Sequence, residues 1–293
     1  MRLRNHSKVI KCPNYHKSSI VKKVNGKFNV YLCSRCRNGF TCPVPKNIQS
    51  YYPNYYWKNS TLLEGIKNTI FKILQRRRIL CVNHHLSNGN VLDVGSGEGR
   101  YFSSLSKKYF LVRLEPPGSH VKNKLVIKRD FLKWMPKNRF DIVCFWESLE
   151  HTPSPQKYLD KAFRLLKSNG KIFIEIPQYD SFESKLFHKY WFHLDLPRHL
   201  AHFTEEGIVI LLKKSGFTNI KVKNILSLDY APWGFMASVL NRSGFNITDY
   251  LKKTGNLPLF FLITPMVFIG FIFETVLSLF NKSPIILVSA RKM

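Results

Sequence analysis

Val91-Leu92-Asp93-Val94-Gly95-Ser96-Gly97-Glu98-Gly99-Arg100 is the stretch of the chain from which the fold can be predicted. An apolar run, a glycine-rich turn and helix-forming sequence from Tyr101 to Lys108 follow one another, which predicts a strand, a tight loop and a helix. Glycine has no Cβ, so each glycine lets the backbone approach a ligand or adopt a positive φ. Loop amides and the helix N-terminus would face that ligand, so the stretch predicts a nucleotide-binding corner.

The spacing of the glycines indicates which nucleotide would bind. A dinucleotide fingerprint reads GxGxxG, whereas here Asp93 precedes a Gly-x-Gly-x-Gly run. This order resembles motif I of the class I S-adenosylmethionine-dependent methyltransferases. The resemblance implies that S-adenosylmethionine is the cofactor and that the motif residues bind it: Asp93, Gly95, Ser96, Gly97 and Gly99.

Two later segments add candidate cofactor contacts at predicted strand ends. Phe110–Glu115 ends in an acid 22 residues beyond Asp93, where a carboxylate can accept both ribose hydroxyls. A solvent-exposed acid at a strand end is the alternative for Glu115. By resemblance, Asp130 accepts from the adenine amino group and Phe131 supplies an apolar face.

A second motif follows the apolar run Phe140–Trp146, which is typical of a strand buried on both faces. Ser148-Leu-Glu150-His151-Thr-Pro153-Ser-Pro155 resembles the LEHxPxP stretch of the same family, beside the transferred methyl group. Glu147, directly after the strand, is therefore counted with the cofactor-binding residues. His151, with Glu150, is the candidate catalytic residue, as a general base for an acceptor hydroxyl.

Two other interpretations of this loop stay open. Glu147, Glu150 and His151 stand at i, i+3 and i+4 and could hold a divalent cation on one helical face. The same triad occurs in the quinone-biosynthesis O-methyltransferases, which the loop also resembles. Alternatively, Glu150 and His151 only brace the loop by hydrogen bonds.

A cap-like insert is predicted over residues 179–203. Its segment Leu194–Phe203 resembles the PRHL stretch of methyltransferases found among bacterial glycan and lipid gene sets. Segments after the fifth strand of this fold generally close over the acceptor, so Arg198, His199 and His202 are candidates for acceptor contacts. The alternative is that they only fasten the insert.

The first 57 residues predict a zinc-ribbon-like module. Cys33-Ser-Arg-Cys36 has the spacing that lets two thiolates bind one tetrahedral Zn²⁺. Cys12 and His16 would complete a Cys₃His set, in a segment similar to the N-terminal ribbon of many bacterial methyltransferases. Tyr15 stands where the second cysteine of that ribbon would fall, so a degenerate, metal-free ribbon is the alternative.

The hydrophobic stretch 257–280 lies within a second insert, 225–283. Its length and composition satisfy the rule for a membrane-spanning helix. A strand that must return to the sheet after it argues against a single span and favours a bent hairpin about Pro265, an interfacial helix, or a helix buried in protein. A net charge of +28 would favour an anionic membrane surface, although compositional drift explains it equally well.

Charge and cysteine content give two further expectations. Arg76-Arg77-Arg78 lies near the end of a predicted amphipathic helix over 61–86 and could contact phosphates. However, three consecutive side chains on a helix project in three different directions, so a solvated face is the favoured interpretation. Six cysteines without a secretory signal favour a reducing, cytoplasmic location, with peripheral or monotopic membrane attachment as an option.

These observations together predict a Rossmann-like α/β fold. A doubly wound seven-stranded sheet forms a methyltransferase domain over 61–293, preceded by the module 1–57. The expected activity is transfer of a methyl group to an oxygen of a glycan- or lipid-linked acceptor. The alternatives are an RNA or protein methyltransferase, although no RNA-reading motif is present and nucleic acid is the less favoured partner, and a non-catalytic membrane-attached binding protein.

Overall fold

The computed structural model describes residues 12–14, 20–25, 27–52, 76–99, 108–227, 231–254 and 257–293. The predicted ligand His16, the predicted helix Tyr101–Lys108 except for Lys108, and most of the predicted helix 61–86 lie outside these ranges.

A seven-stranded sheet forms the centre of the described chain, in the order β10-β11-β8-β7-β4-β5-β6. Neighbours from β8 to β6 pair in parallel, while β11 runs antiparallel between β8 and β10. The predicted doubly wound sheet with one antiparallel strand near its edge is therefore confirmed. Its strands are β4 (Gly89–Val94), β5 (Tyr109–Glu115), β6 (Val126–Lys128), β7 (Phe140–Trp146), β8 (Leu166–Pro177), β10 (Thr218–Asn224) and β11 (Ile285–Arg291).

Alternate residues of the central strands enter two separate cores. Leu92 and Val143 belong to the larger core, and Val91 and Ile142 belong to a smaller one on the opposite face. Burial on both faces explains why these strands read as continuous apolar runs. The described helices are α1 (Arg76–His85), α2 (Pro155–Leu165), α3 (Phe182–Phe187), α4 (Glu205–Lys214), α5 (Ala231–Arg242), α6 (Ile247–Thr254) and α7 (Leu257–Leu279).

The strand order reverses at β4, because β5 follows it on one side and β7 lies on the other. In open α/β sheets this reversal opens a crevice at the carboxyl ends of the strands, where ligands bind. Asp93, Glu115 and Glu147 lie at or just beyond these ends. The topology therefore gathers the predicted cofactor residues at one edge of the sheet.

The N-terminal segment pairs with the insert that follows β8. Its strands β1 (Ile20–Asn25), β2 (Phe28–Cys33) and β3 (Gly39–Cys42) form a four-stranded sheet with β9 (Ala201–His202). Thr41 Oγ1 also donates to the carbonyl oxygen of His199 at 2.6 Å. The N-terminal segment is thus bound to the residues of the PRHL stretch by strand pairing and by a side-chain hydrogen bond.

Two expectations differ from the structure. Arg78 is fully buried and its guanidinium pairs with the buried carboxylate of Glu175 in β8, which Arg77 also contacts. The predicted solvated face is therefore wrong for Arg78, because α1 packs this side chain against the sheet. The hydrophobic stretch forms one helix, α7, that continues through Pro265 and is not a hairpin.

Candidate active site

The glycine turn after β4 adopts the backbone that its composition predicts. Gly95 and Gly97 have φ of +76° and +56°, in the left-handed region that glycine tolerates best. A Cβ on Gly95 would lie 2.4 Å from Cβ of Ser148, whereas a Cβ on Gly97 would meet no atom within 4 Å among the described residues. Gly95 therefore permits close packing of two loops, and Gly97 has no close neighbour among the described residues.

Asp93 presents a buried carboxylate to this corner. The residue is 1% exposed, and neither carboxylate oxygen has a hydrogen-bond partner in the part of the chain that the structure describes. Burial raises the pKa of Asp93 to about 7, Arg78 opposes the rise, and Glu115 adds to it. A buried carboxylate in need of partners beside a turn with open space fits the polar, cationic end of S-adenosylmethionine.

Glu115, at the end of β5, lies against the same turn. Its Oε1 accepts a hydrogen bond from the backbone N–H of Gly97 at 2.6 Å. Burial raises the pKa of Glu115, and the bond from Gly97 partly offsets that rise. The carboxylate is therefore held at the corner rather than turned toward solvent. Ser96, the motif residue between the two glycines, is itself buried.

Asp130 and Phe131 occupy different environments. Oδ1 of Asp130 accepts from the backbone N–H of Leu132 at 2.9 Å, and the side chain is partly exposed. The ring of Phe131 is buried in the larger core, where it stacks on Tyr158 and meets Phe145 edge to face. The structure thus differs from the expectation of an apolar face from Phe131, because core packing takes up that ring.

Glu147 and Glu150 follow β7 on the neighbouring loop. Glu147 has a φ of +49°, and its backbone N–H donates to the carbonyl oxygen of Glu175 at 2.9 Å. Glu150 is 1% exposed, and burial raises its pKa to about 8 while an interaction with the Glu147 side chain lowers it. The Glu150 carboxyl therefore holds its proton over most of the neutral range.

His151 is held in a defined tautomer. Its Nδ1 lies 3.0 Å from the carbonyl oxygen of Arg198 and 3.0 Å from the hydroxyl of Tyr52. A carbonyl can only accept, so Nδ1 carries the proton and Nε2 keeps its lone pair. Burial, with a smaller contribution from His199, lowers the pKa of His151 to about 3. The imidazole is therefore neutral, with Nε2 able to accept a proton.

The predicted acceptor residues divide into two groups. The ring of His199 meets that of His151 edge to face at 4.7 Å, and its Nδ1 lies 2.8 Å from the carbonyl oxygen of His193. The guanidinium of Arg198 donates to Asp195. His202 instead lies toward the N-terminal sheet, where its Nε2 is 2.9 Å from Oγ1 of Thr41. The structure thus brings His199 and Arg198 to His151, and places His202 at the sheet junction.

The cation interpretation changes in one member. Ligand atoms of Glu150, His151 and His199 all lie within 4.8 Å of one another. The third member of the group is therefore His199, whereas the predicted triad had Glu147 in that place. The geometry leaves both the general-base and the cation interpretations of His151 open.

Several neighbours of the site were not predicted from the sequence. Tyr52, Asp195 and Glu175 touch His151, Arg198 and Arg78, respectively. Tyr52 is separated from His151 by 99 positions, so no local sequence pattern predicts that contact. Asp195 stands three residues before Arg198, a spacing at which an ion pair could have been proposed.

The cysteine cluster of the N-terminal segment fits a metal. Sγ atoms of Cys12, Cys33 and Cys36 all lie within 4.8 Å of one another, and those of Cys12 and Cys36 are 3.7 Å apart. Thiolates at about 2.3 Å from one tetrahedral Zn²⁺ would show a similar separation. Asn14 donates from its backbone to Cys12 and from its side chain to Cys36. The fourth predicted ligand, His16, lies outside the described residues.

We expect the purified protein to contain one zinc ion per chain, since three buried thiols converge with amide donors around them. Metal analysis by mass spectrometry measures this content. Cys36→Ser should lower it to near zero, whereas Cys42→Ser, which changes a cysteine outside the cluster, should leave it intact. A wild-type protein without zinc after purification free of chelators would contradict the expectation.

Comparison with known proteins places this chain in a family. A family model described as a methyltransferase domain matches residues 66–222, more than half of the 293 residues. An uncharacterised protein of Methanocaldococcus jannaschii is 27% identical over 158 residues, which cover 51% of this chain and 75% of that protein. The mitochondrial ubiquinone biosynthesis O-methyltransferase of Candida albicans is 32% identical over 130 residues, 39% of each chain.

Solved structures share the fold. A possible histamine N-methyltransferase from Thermotoga maritima, described as S-adenosylmethionine-dependent, superposes with a TM-score of 0.51 at 15% identity, over 84% of this chain and all of that one. Phosphoethanolamine N-methyltransferase 2 of Haemonchus contortus, in complex with S-adenosyl-L-methionine, has a TM-score of 0.51 at 15% identity, over 93% of this chain and 71% of that one. At such identities these likenesses concern architecture alone.

Proposed function

Since the chain belongs to the methyltransferase-domain family and is an S-adenosylmethionine-dependent methyltransferase, we propose that it methylates an oxygen of its acceptor with His151 as the general base. When bound, S-adenosylmethionine supplies an activated methyl group on a sulfonium sulfur. The residues proposed to hold it are Asp93 and the glycine turn, with Glu115 at the ribose and Asp130 at the adenine.

The observation that carries the proposal is the placement of the His151 loop against the glycine corner. Oγ of Ser148 donates to the carbonyl oxygen of Val94 at 2.6 Å. The Ser148 side chain packs where a Cβ on residue 95 would otherwise lie, so this contact requires the glycine. His151 follows three residues later, with Nδ1 held by a backbone carbonyl. Nε2 of His151 lies 4.0 Å from Oε1 of Glu150, and the proposal is that an acceptor bound beside this loop gives its proton to Nε2 while the methyl donor occupies the adjoining glycine corner.

The proton balance of this step is simple. Bound S-adenosylmethionine would supply the methyl group and its sulfur would be the leaving group, while Nε2 of His151 would take up the proton of the acceptor hydroxyl. Asp195, whose pKa is lowered by His199 and Arg198 although burial itself raises it, stays ionised near the histidine pair. Its negative charge would stabilise the imidazolium that the transfer produces.

The acceptor class is proposed to be a glycan- or lipid-linked hydroxyl. Support comes from the resemblance of Leu194–Phe203 to the PRHL stretch and from the partial similarity to an O-methyltransferase of quinone biosynthesis. The insert that holds this stretch contacts His151 through Arg198 and His199. Contact between the insert and the candidate base supports a role for it in holding the acceptor.

We expect His151→Gln to lower the rate of methyl transfer by at least about 100-fold, because a positioned base typically contributes that factor or more. Glutamine keeps a hydrogen-bonding side chain but cannot take up a proton at neutral pH. His84→Gln, at an exposed histidine of α1, is the matched control and should retain the wild-type rate.

The assay uses S-adenosylmethionine with a labelled methyl group and fractionated lipid, glycan and RNA pools. Label in a lipid or glycan fraction, lost in His151→Gln, is the expected result. Label in RNA, with salt-sensitive retention of RNA on the protein, would favour the RNA methyltransferase instead. Full activity of His151→Gln would exclude His151 as the base.

A further inference from the structure

Helix α7 exposes an apolar face from Leu262 to Leu279. Leu262, Phe268 and Leu279 are 75%, 62% and 77% exposed, and Ile269, Ile272 and Val276 are also exposed. Among the described residues, α7 is the one helix long and apolar enough to cross a membrane. Clusters of exposed aliphatic and aromatic side chains on this scale mark a surface that binds another protein or a membrane.

The opposite face of α7 is fixed to the protein. Gly270 lies against α5, where an added Cβ would come within 2.6 Å of the carbonyl oxygen of Pro232. Glu274 is the only charged residue in α7, and it is fully buried beside the carboxyl of Glu183 in α3. Burial raises the pKa of Glu274, and Glu183 raises it further, which favours the protonated form of this buried carboxyl. The outer face of α7 is therefore left without a charge.

The exposed apolar surface continues onto α3. Phe182 and Leu186 are both exposed, and the ring of Phe182 contacts that of Phe273 in α7 at 6.2 Å. Exposed lysines stand close to this surface in the sequence: Lys185 on α3, Lys253 shortly before α7 and Lys282 shortly after it. An apolar strip with lysines on the same and adjoining segments is complementary to a bilayer with anionic headgroups.

We propose that the outer face of α7, together with Phe182 and Leu186, docks the protein on an anionic membrane with the helix lying in the plane of the interface. A transmembrane orientation conflicts with the packing on both ends of α7. A helix of 23 residues is about 35 Å long, so spanning would carry one end across the bilayer. Yet only five residues separate α7 from β11, which pairs between β8 and β10. At the other end, α6 lies just before α7 and packs against α5.

Docking in this orientation has a consequence for the acceptor. Helix α3 belongs to the insert that also carries Arg198 and His199, so the membrane-facing surface and the candidate acceptor residues share one segment. If the proposed function holds, the acceptor reaches His151 from the bilayer surface. The docking itself does not depend on catalysis, because vesicle binding is measured without methyl transfer.

The test is co-sedimentation of the full chain with vesicles. Vesicles of phosphatidylglycerol and phosphatidylcholine should carry the wild-type protein into the pellet, and those of phosphatidylcholine alone should carry less. Phe268→Glu with Ile272→Glu should lower partitioning roughly 50-fold, since two apolar side chains leave the interface. Leu125→Glu with Met135→Glu, at exposed apolar positions on the β6 side, is the matched control and should partition like the wild type.

Three outcomes would overturn the proposal. The wild-type protein could stay in the supernatant with anionic vesicles, or the α7 pair of substitutions could leave partitioning unchanged. Sedimentation velocity could instead show a dimer that the α7 substitutions dissociate, which would assign the surface to a second copy of the chain. Thermal unfolding of each variant checks that a loss of partitioning does not come from loss of the fold.

Discussion

Replacing Glu115 by Leu is expected to lower the affinity for S-adenosylmethionine by about 100- to 10,000-fold. The proposed carboxylate accepts two ribose hydroxyls, and hydrogen bonds to a charged group contribute about 1.5–3 kcal/mol each. Each 1.4 kcal/mol changes an equilibrium constant about tenfold. Leucine also leaves the backbone N–H of Gly97 without its observed acceptor. Isothermal titration with S-adenosylmethionine measures the change.

The matched control for this prediction is Glu98→Gln, in the same turn. The carboxylate of Glu98 accepts from the backbone N–H groups of Lys122 and Asn123 and not from Gly97. We expect its affinity for the cofactor to stay within a few-fold of the wild type. Equal losses in both variants would show that removal of negative charge from the turn matters and that the ribose contact does not.

Replacing Arg78 by Met is expected to lower the free energy of unfolding by about 3–5 kcal/mol, the usual result of removing one partner of a buried ion pair. Nε and Nη2 of Arg78 contact the two oxygens of Glu175 at 3.2 and 2.5 Å, and both side chains are fully buried. Methionine fills similar space, so most of the loss arises from the buried carboxylate, which keeps only Arg77 as its partner. Urea unfolding followed by circular dichroism measures it.

The companion variants separate charge from packing. Arg76→Met, at an exposed position of the same helix, should change stability by less than about 0.5 kcal/mol. Arg78→Met combined with Glu175→Leu should recover part of the loss, because the buried carboxylate that lost one of its two arginine partners is gone. If Arg76→Met and Arg78→Met had equal effects, the buried pair would not stabilise the fold as described.

Strand positions were predictable because burial on both faces leaves an unbroken apolar run. The prediction for Phe140–Trp146 has the same bounds as β7, and the prediction for Phe110–Glu115 begins one residue after β5 and ends with it. The arginine run shows the limit of this reasoning. Helix spacing tells how three arginines diverge, but the partner of Arg78 lies 97 positions away on β8, so local sequence could not reveal its burial.

The candidate site divides in a similar way. Glu115 and the glycine turn could be paired from sequence because both stand at the ends of strands that the fold makes adjacent. The surroundings of His151 could not, since Tyr52 and Arg198 reach it from the N-terminal segment and the insert. These two segments meet through the short β3–β9 pairing, and a two-residue strand leaves no periodic pattern to read. Phe131 shows the converse, because a residue beside the predicted adenine contact packs into the core.

A crystal structure of the protein with S-adenosylhomocysteine tests the central claim most directly. The account predicts that the ligand occupies the corner after β4, with its ribose hydroxyls on the carboxylate of Glu115 and its amino-acid end toward Asp93 and Gly97. Density for the ligand elsewhere, or bound at the corner without contact to Glu115 or Asp93, would contradict it.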